Sequence, residues 1–364
     1  MVALDAYEQS LKLVSFRPLL RIPRIVPLIG ASGCLFAMFI IDVAFGGIAI
    51  AVVIILHTYL VHKRIKAPFG DVRSGLFTAL AEWAASKVAS LAGPREKTWK
   101  ANVLVPVEDS RDIVNVFPLL RDIARPNGFV RLLGLTGERN YHEMTKNLPD
   151  LTNKFEENQI FSTWTVIDAA TFPDKLAAGI EALGGAFFRS SMIVLPFPES
   201  GEREEKIRRI IQDAQKNKLG ALLVSGEEFG LSARGGVHLI IDRPENGWKI
   251  GIDLGKTDLA FLLAYKLKRN RKTSMVLTAY VSKAGEDQKA LEFMEAIVEL
   301  ARIPNVKFNL ANSEEEFRVD SGDSAITIFS ITDEVNFREM QKRIHLAKSP
   351  CLFVMDSGWE NALA

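Results

Sequence analysis

Asn102-Val103-Leu104-Val105-Pro106-Val107-Glu108-Asp109-Ser110 is the stretch that decides the fold class. A short apolar run ends in acidic and hydroxyl residues, and a helical pattern follows over 111–125. Strands apolar on both faces belong inside a sheet covered by helices on both sides. The same texture recurs downstream. Strands are predicted at 129–135, 161–168, 192–197 and 221–225, with helices at about 172–183 and 202–217. After the glycine-rich Gly226–Gly236 (GEEFGLSARGG), which reads as a linker, the pattern restarts. Strands are predicted at 237–242, 275–281, 306–310, 325–331 and 351–356, and helices at about 257–268, 285–302 and 333–346. The expectation is two parallel-sheet α/β subdomains in series, 101–230 and 231–364. A duplication would explain them, although no residue-level repeat joins the two.

Upstream lie two apolar runs, Ile25 to Ile41 and Val43 to Val61, with Asp42 between them. Each approaches the ~20 residues a helix needs to cross a bilayer. A cleaved signal peptide would have one short apolar core and a small-residue cleavage site, whereas here a second run follows at once. Asp42 would cost roughly 2.5–3.5 kcal/mol at a membrane midplane, so it belongs in the turn. The reading is a membrane hairpin within residues 1–66, with helices at about 25–41 and 44–62. Lys12, Arg17, Arg21 and Arg24 precede it, and Lys63, Arg64 and Lys66 follow it. Basic flanks on both sides place both ends in the cytoplasm. Gly30, Gly33, Ala37, Gly47 and Ala51 give a small-residue stripe for close helix packing. Residues 67–100 then form a linker. Leu76, Phe77, Leu80, Trp83, Ala84, Val88 and Leu91 put a broad apolar face on a helix over 74–91, which stops at Gly93-Pro94. That face is the basis for expecting a homodimer.

The bulk composition excludes several classes. A formal net charge of +1 and no basic stripe interleaved with aromatics argue against nucleic acid. Two cysteines, Cys34 and Cys351, form no disulfide framework, and His57, His62, His142, His238 and His345 are scattered without ligand spacing. No nucleophile–base pair or matched carboxylates stand out, so neither an enzyme nor a metal protein is expected.

One candidate site remains. Ligands of open α/β sheets bind outside the carboxyl ends of strands, so Glu108, Asp109 and Ser110 could hold an adenosine. The competing reading is that Asp109 or Ser110 caps the next helix while Glu108 favours its positive end. Gly134-Leu135-Thr136-Gly137 could let a backbone approach phosphate. Gly251 to Thr257 (GIDLGKT) is one residue short of a phosphate loop and is rejected. Arg203–Ile210 (REEKIRRI) mixes charges as a solvated helix face does.

The order Ser15-Phe16-Arg17-Pro18, two apolar helices, a basic exit, Ala67-Pro68-Phe69-Gly70 and an amphipathic helix resembles the end of the membrane domain of cation–chloride cotransporters, within the amino acid–polyamine–organocation superfamily. There a scissor helix leads to a cytosolic C-terminal domain. Asp253-Leu254-Gly255 through Tyr265 is similar to that family's DDGGL…PYLL segment. Residues 103–110 resemble the opening strand of universal stress proteins, which ends V-x-x-D-x-S and has the fold to which the cotransporter domain is related. This resemblance implies that Glu108 would lie near adenine, making ATP the one cofactor the site could hold. The glycine series of the ATP-binding members is not matched by Phe197-Pro198-Glu199-Ser200-Gly201.

The first resemblance implies the last membrane hairpin and the cytosolic regulatory and dimerisation domain of a permease. The ten membrane helices that precede this point in the family are not part of this sequence, so no ion-binding residue carries over and transport alone is not expected. The sequence would then be a fragment, the product of a mispredicted gene start, or one half of a split transporter; its partners would be the lipid bilayer, a second copy and, in the split case, a separate permease half. The alternative is a standalone membrane-anchored nucleotide sensor of the stress-protein type.

Overall fold

The structure is a computed structural model. It describes residues 99–363 except 137–140, 169–171, 185–188, 199–200, 227–228, 230–235, 245–246, 250, 252–253, 282–284, 315, 317–323 and 332–334, together with scattered positions within 29–55 and 80–87. The chain divides into two compact units, Met1–Arg95 and Glu96–Ala364.

In the first unit, every described position within 29–55 and 80–87 is helical. Most of the expected hairpin, its Asp42 turn, the basic flanks and the ends of the 74–91 helix lie outside the described residues. Among the described residues no helix is long and apolar enough to cross a membrane.

The second unit is built on one sheet of ten strands. The first half runs β1 (Asn102–Val107), α1 (Ser110–Ala124), β2 (Phe129–Thr136), α2 (Tyr141–Glu157), β3 (Phe161–Asp168), α3 (Phe172–Gly184), β4 (Met192–Pro196), α4 (Gly201–Lys216) and β5 (Gly220–Ser225). The second half runs β6 (Gly236–Ile241), α5 (Asp258–Arg271), β7 (Met275–Tyr280), α6 (Asp287–Leu300), β8 (Val306–Ala311), β9 (Ser324–Ser330), α7 (Phe337–Ala347) and β10 (Cys351–Met355). The order across the sheet is β3-β2-β1-β4-β5-β10-β9-β6-β7-β8. Each half therefore repeats the same sequence of positions, outward from its first strand to its third and back beside the first with its fourth and fifth. The duplication visible in topology is absent from the residues.

All pairings are parallel except that of β5 with β10, where Ser225 faces Cys351 and Ala221 faces Met355. Antiparallel contact is what two equivalent edge strands related by a twofold must make. It also removes a hazard, since each strand would otherwise present unpaired amides and carbonyls at an edge. Apart from the half-buried Ser225, every residue of the two strands is buried. The two expected subdomains share one sheet, because their last strands pair.

Helices cover both faces. Leu119, Ile123, Phe155, Leu263 and Phe293 of α1, α2, α5 and α6 pack on one face. Leu176, Ile180, Ile210 and Met340 of α3, α4 and α7 pack on the other. Helix α2 is absent from the sequence expectation. Pro149 lies inside it, and an interior proline costs about 3 kcal/mol. Burial of Met144, Leu148, Leu151 and Phe155 offsets that cost. Their 4-3-4 spacing was the signal to read. Gly134 lies within β2, and a Cβ there would sit 2.8 Å from Leu148 Cδ1 and 2.9 Å from Met144 Cγ. It is a glycine for close packing of α2, rather than for phosphate.

Candidate functional site

In a sheet of this order the crevice forms where two neighbouring strands send their connections in opposite directions. Here that happens twice, between β1 and β4 and between β6 and β9. Both crevices carry a carboxylate directly after the first strand of their half. Both are crossed by an arginine from the helix after the fourth strand.

In the first crevice the sequence-predicted residues occupy the end of β1. Glu108 is exposed, Asp109 is half-buried, and Ser110 is the first residue of α1. Arg203, in the first turn of α4, donates from Nη2 to Glu108 Oε2 at 2.9 Å. The two side chains are 42% and 43% exposed, so water screens this pair. The segment read as a solvated face is therefore only partly so: Arg203 spans the crevice, and Ile207, Ile210 and Ile211 are buried.

In the second crevice Asp242 follows β6, and α7 supplies Arg343. Arg343 donates from Nη1 and Nη2 to the two Asp242 oxygens at 2.9 and 3.2 Å, and from Nη2 to Glu339 at 2.8 Å. Its Nε lies 3.6 Å from Glu314, and its side chain is only 4% exposed. The guanidinium also sits 5.6 Å from the centre of the Phe329 ring. Burial opposes the charge on Arg343, and the carboxylates of Asp242, Glu339 and Glu314 outweigh it, so its pKa is raised. Sequence reasoning missed this cluster. Its partners are up to 101 residues apart, and only the strand order places α7 over the end of β6.

Each crevice is thus spanned by an ion pair from strand end to helix. Of the Gly134–Gly137 run read for phosphate, Gly137 lies outside the described residues. Gly134 admits α2, and Gly255, at φ +65°, opens a 3₁₀ turn that leads into α5. In that turn Thr257 Oγ1 donates to the Leu254 carbonyl. Cys351 is buried in β10, and burial pushes its thiol up to about 12, away from thiolate chemistry. Among the described residues no group of three or more His, Cys, Asp or Glu side chains is arranged to hold a metal ion.

Two family models match the second unit. The first C-terminal domain of prokaryotic cation-chloride cotransporters covers residues 105–229, and the second C-terminal domain covers 234–363. They divide at the junction of β5 and β6. The crystal structure of the cytoplasmic domain of a prokaryotic cation chloride cotransporter is 39% identical, with a TM-score of 0.63, over 73% of this chain and 99% of that one. A universal stress protein from Archaeoglobus fulgidus DSM 4304 is 9% identical with a TM-score of 0.47, over 70% of this chain and 96% of that one. A putative universal stress protein from Pseudomonas aeruginosa UCBPP-PA14 is 13% identical with a TM-score of 0.47, over 70% and 92%. No curated protein sequence matches. With 39% identity over nearly the whole of that cytoplasmic domain, this chain belongs to the prokaryotic cation–chloride cotransporter family and carries its cytoplasmic C-terminal domain.

Proposed function

We propose that the chain attaches this cytoplasmic domain to the membrane through the hairpin within residues 25–61, and that the domain regulates and dimerises a permease. One observation carries the attachment. On helical positions of the first unit, Ile29, Phe36, Phe39, Ile40, Ile48, Val52, Ile54 and Ile55 are 41–70% exposed. Soluble monomers rarely leave more than a few hundred Å² of contiguous apolar surface in water. Lipid is the solvent that suits such helices. The basic flanks put both ends of the hairpin on the cytoplasmic side.

In this reading the chain carries no catalysis and does not transport alone. A pair of helices offers no enclosed midplane site of the kind transporters build between repeats, so the ion pathway belongs to further permease helices, carried by a longer form of this chain or by a separate half. Leu80 and Trp83, 57% and 60% exposed on a helical segment, support self-association through the linker helix.

The deciding experiment is fractionation of the expressed chain. Pelleting with membranes, resistance to alkaline carbonate and release only by detergent are expected. A folded, monodisperse chain in the supernatant without detergent would overturn the attachment. Light scattering of the detergent-solubilised chain tests the dimer separately, and a monomer there would remove it.

A further inference from the structure

The ten-stranded sheet ends at β3 on one side and at β8 on the other. The two strands hold equivalent places in their halves, and each turns a row of backbone amides and carbonyls outward. Folded proteins protect such edges by keeping them short or by placing a lysine on them. β8 follows that rule. It has six residues, Val306–Ala311, with Lys307 exposed and Val306, Phe308 and Leu310 half-buried. β3 does not. It runs for eight residues, FSTWTVID, with no charge before Asp168 and no proline. Phe161 is 50% exposed and Trp164 39%, and Thr165 is exposed beside them. Among the described residues β3 pairs with β2 alone, from Phe161 beside Phe129 to Asp168 beside Thr136.

What fits that edge is a copy of itself. A twofold axis perpendicular to the sheet sets two β3 strands antiparallel, and centring it on Trp164 fixes every pair. Trp164 meets Trp164 of the second copy, Thr163 meets Thr165, Ser162 meets Val166 and Phe161 meets Ile167. Aromatic pairs, threonine pairs and an aromatic ring against a β-branched side chain are the combinations that stabilise antiparallel strands. No like charges are set opposite each other, because residues 161–167 carry none. Centring the axis on Thr163 instead would set Trp164 against Ser162 and Phe161 against Thr165. The twofold also closes the assembly at two copies. Pairing β3 with β8 of a further copy would continue without end, and would meet Lys307.

We propose that two copies of this chain join edge to edge through β3, antiparallel about Trp164, into one continuous sheet. This rests on the reading that the domain dimerises, and it names the surface. Each copy then satisfies the outward amides and carbonyls of the other's β3 and removes the exposed faces of Phe161 and Trp164 from water.

The test is thiol crosslinking of the full detergent-solubilised chain with a short bis-maleimide, beside light scattering of the same sample. Directly opposed residues have Cβ atoms about 4.5–5.5 Å apart. Trp164→Cys should therefore rise from the background set by the native Cys34 and Cys351 to a majority of linked pairs. Phe161→Cys replaces a residue no less exposed, yet should stay at background. In this register its own counterpart lies about 20 Å away, at about 3.3 Å per residue. Adding Thr165→Lys to Trp164→Cys gives β3 the guard that β8 has, and should abolish the link with the circular dichroism unchanged. A dimer by light scattering with Trp164→Cys at background would overturn the β3 interface and leave dimerisation standing. A link as strong from Phe161→Cys, or one that survives Thr165→Lys, would also overturn it. A monomeric native chain would remove dimerisation and this interface together.

Discussion

Arg271 Nε lies 2.8 Å from Asp122 Oδ2, and the two side chains are 10% and 9% exposed. The pair joins the last turn of α5 to the last turn of α1, the helices that follow the first strand of each half. Asn270 adds bonds from Nδ2 to the Asp122 and Arg125 carbonyls at 2.6 and 3.0 Å. Arg271 Nη2 also donates to the Phe229 carbonyl in the connection between halves. This is the twofold contact on one face, as the β5–β10 pairing is its counterpart within the sheet. Arg121 also donates from Nε and Nη2 to Asp122 Oδ1 at 3.0 and 2.9 Å, so Arg271→Ala leaves the carboxylate with one cation. It should lower the urea stability of the unit spanning 96–364 by less than the ~3–5 kcal/mol that stranding a buried charge costs. Asp122→Ala combined with Arg271→Ala should cost less than the sum of the two. Strict additivity would show that the pair does not couple the halves.

The two crevice clasps occupy equivalent positions and should respond differently. Arg343 is buried and serves Asp242, Glu339 and Glu314 at once, so Arg343→Met leaves several carboxylates unmatched. A loss of about 3 kcal/mol or more is expected. Arg203→Met breaks a screened pair and should change stability by less than about 1 kcal/mol. Thermal unfolding of both variants decides it, and equal effects would refute the distinction.

Phe353 of β10 and Phe329 of β9 are register partners whose rings stack at 5.1 Å. Phe197, after β4, reaches the Phe353 ring at 5.8 Å and the Phe337 ring at 6.1 Å. This aromatic chain ties the halves on the opposite face from Arg271. Phe353→Ala should cost about 3–5 kcal/mol, the usual range for a buried ring. Phe353→Leu should recover a large part of it, as chemical denaturation would reveal.

The strands were legible because their apolar runs are short and bounded by turn residues. All ten appear within a residue or two of where the pattern put them. Helix α2 was hidden by Pro149, and the continuity of the sheet by distance. Nothing local in GALLVS or CLFVM says that these two runs, 126 or more residues apart, pair with each other. For the site, the position of Glu108 at a strand end could be read, but its partner Arg203 could not, being 95 residues away on a face that looked solvated. Asp242 had the same signal, a carboxylate ending the first strand of a half. Its recognition required knowing that the halves repeat.

Asp356, buried directly after β10, also sets a pH dependence of stability. Burial, then the Glu360 charge, raise Asp356 from its ordinary value to about 8. The folded chain therefore holds a proton that the unfolded chain has already lost at about pH 4. With more protons bound to the native state, stability falls as pH rises. The contribution of Asp356 is complete below about pH 4, declines through neutrality, and is gone above about pH 8. This is opposite to the usual paired carboxylate. Urea unfolding at about pH 5, 7 and 9 should find the native chain losing stability relative to Glu360→Gln across that series. Curves that stay parallel would mean that Asp356 holds no extra proton in the folded chain.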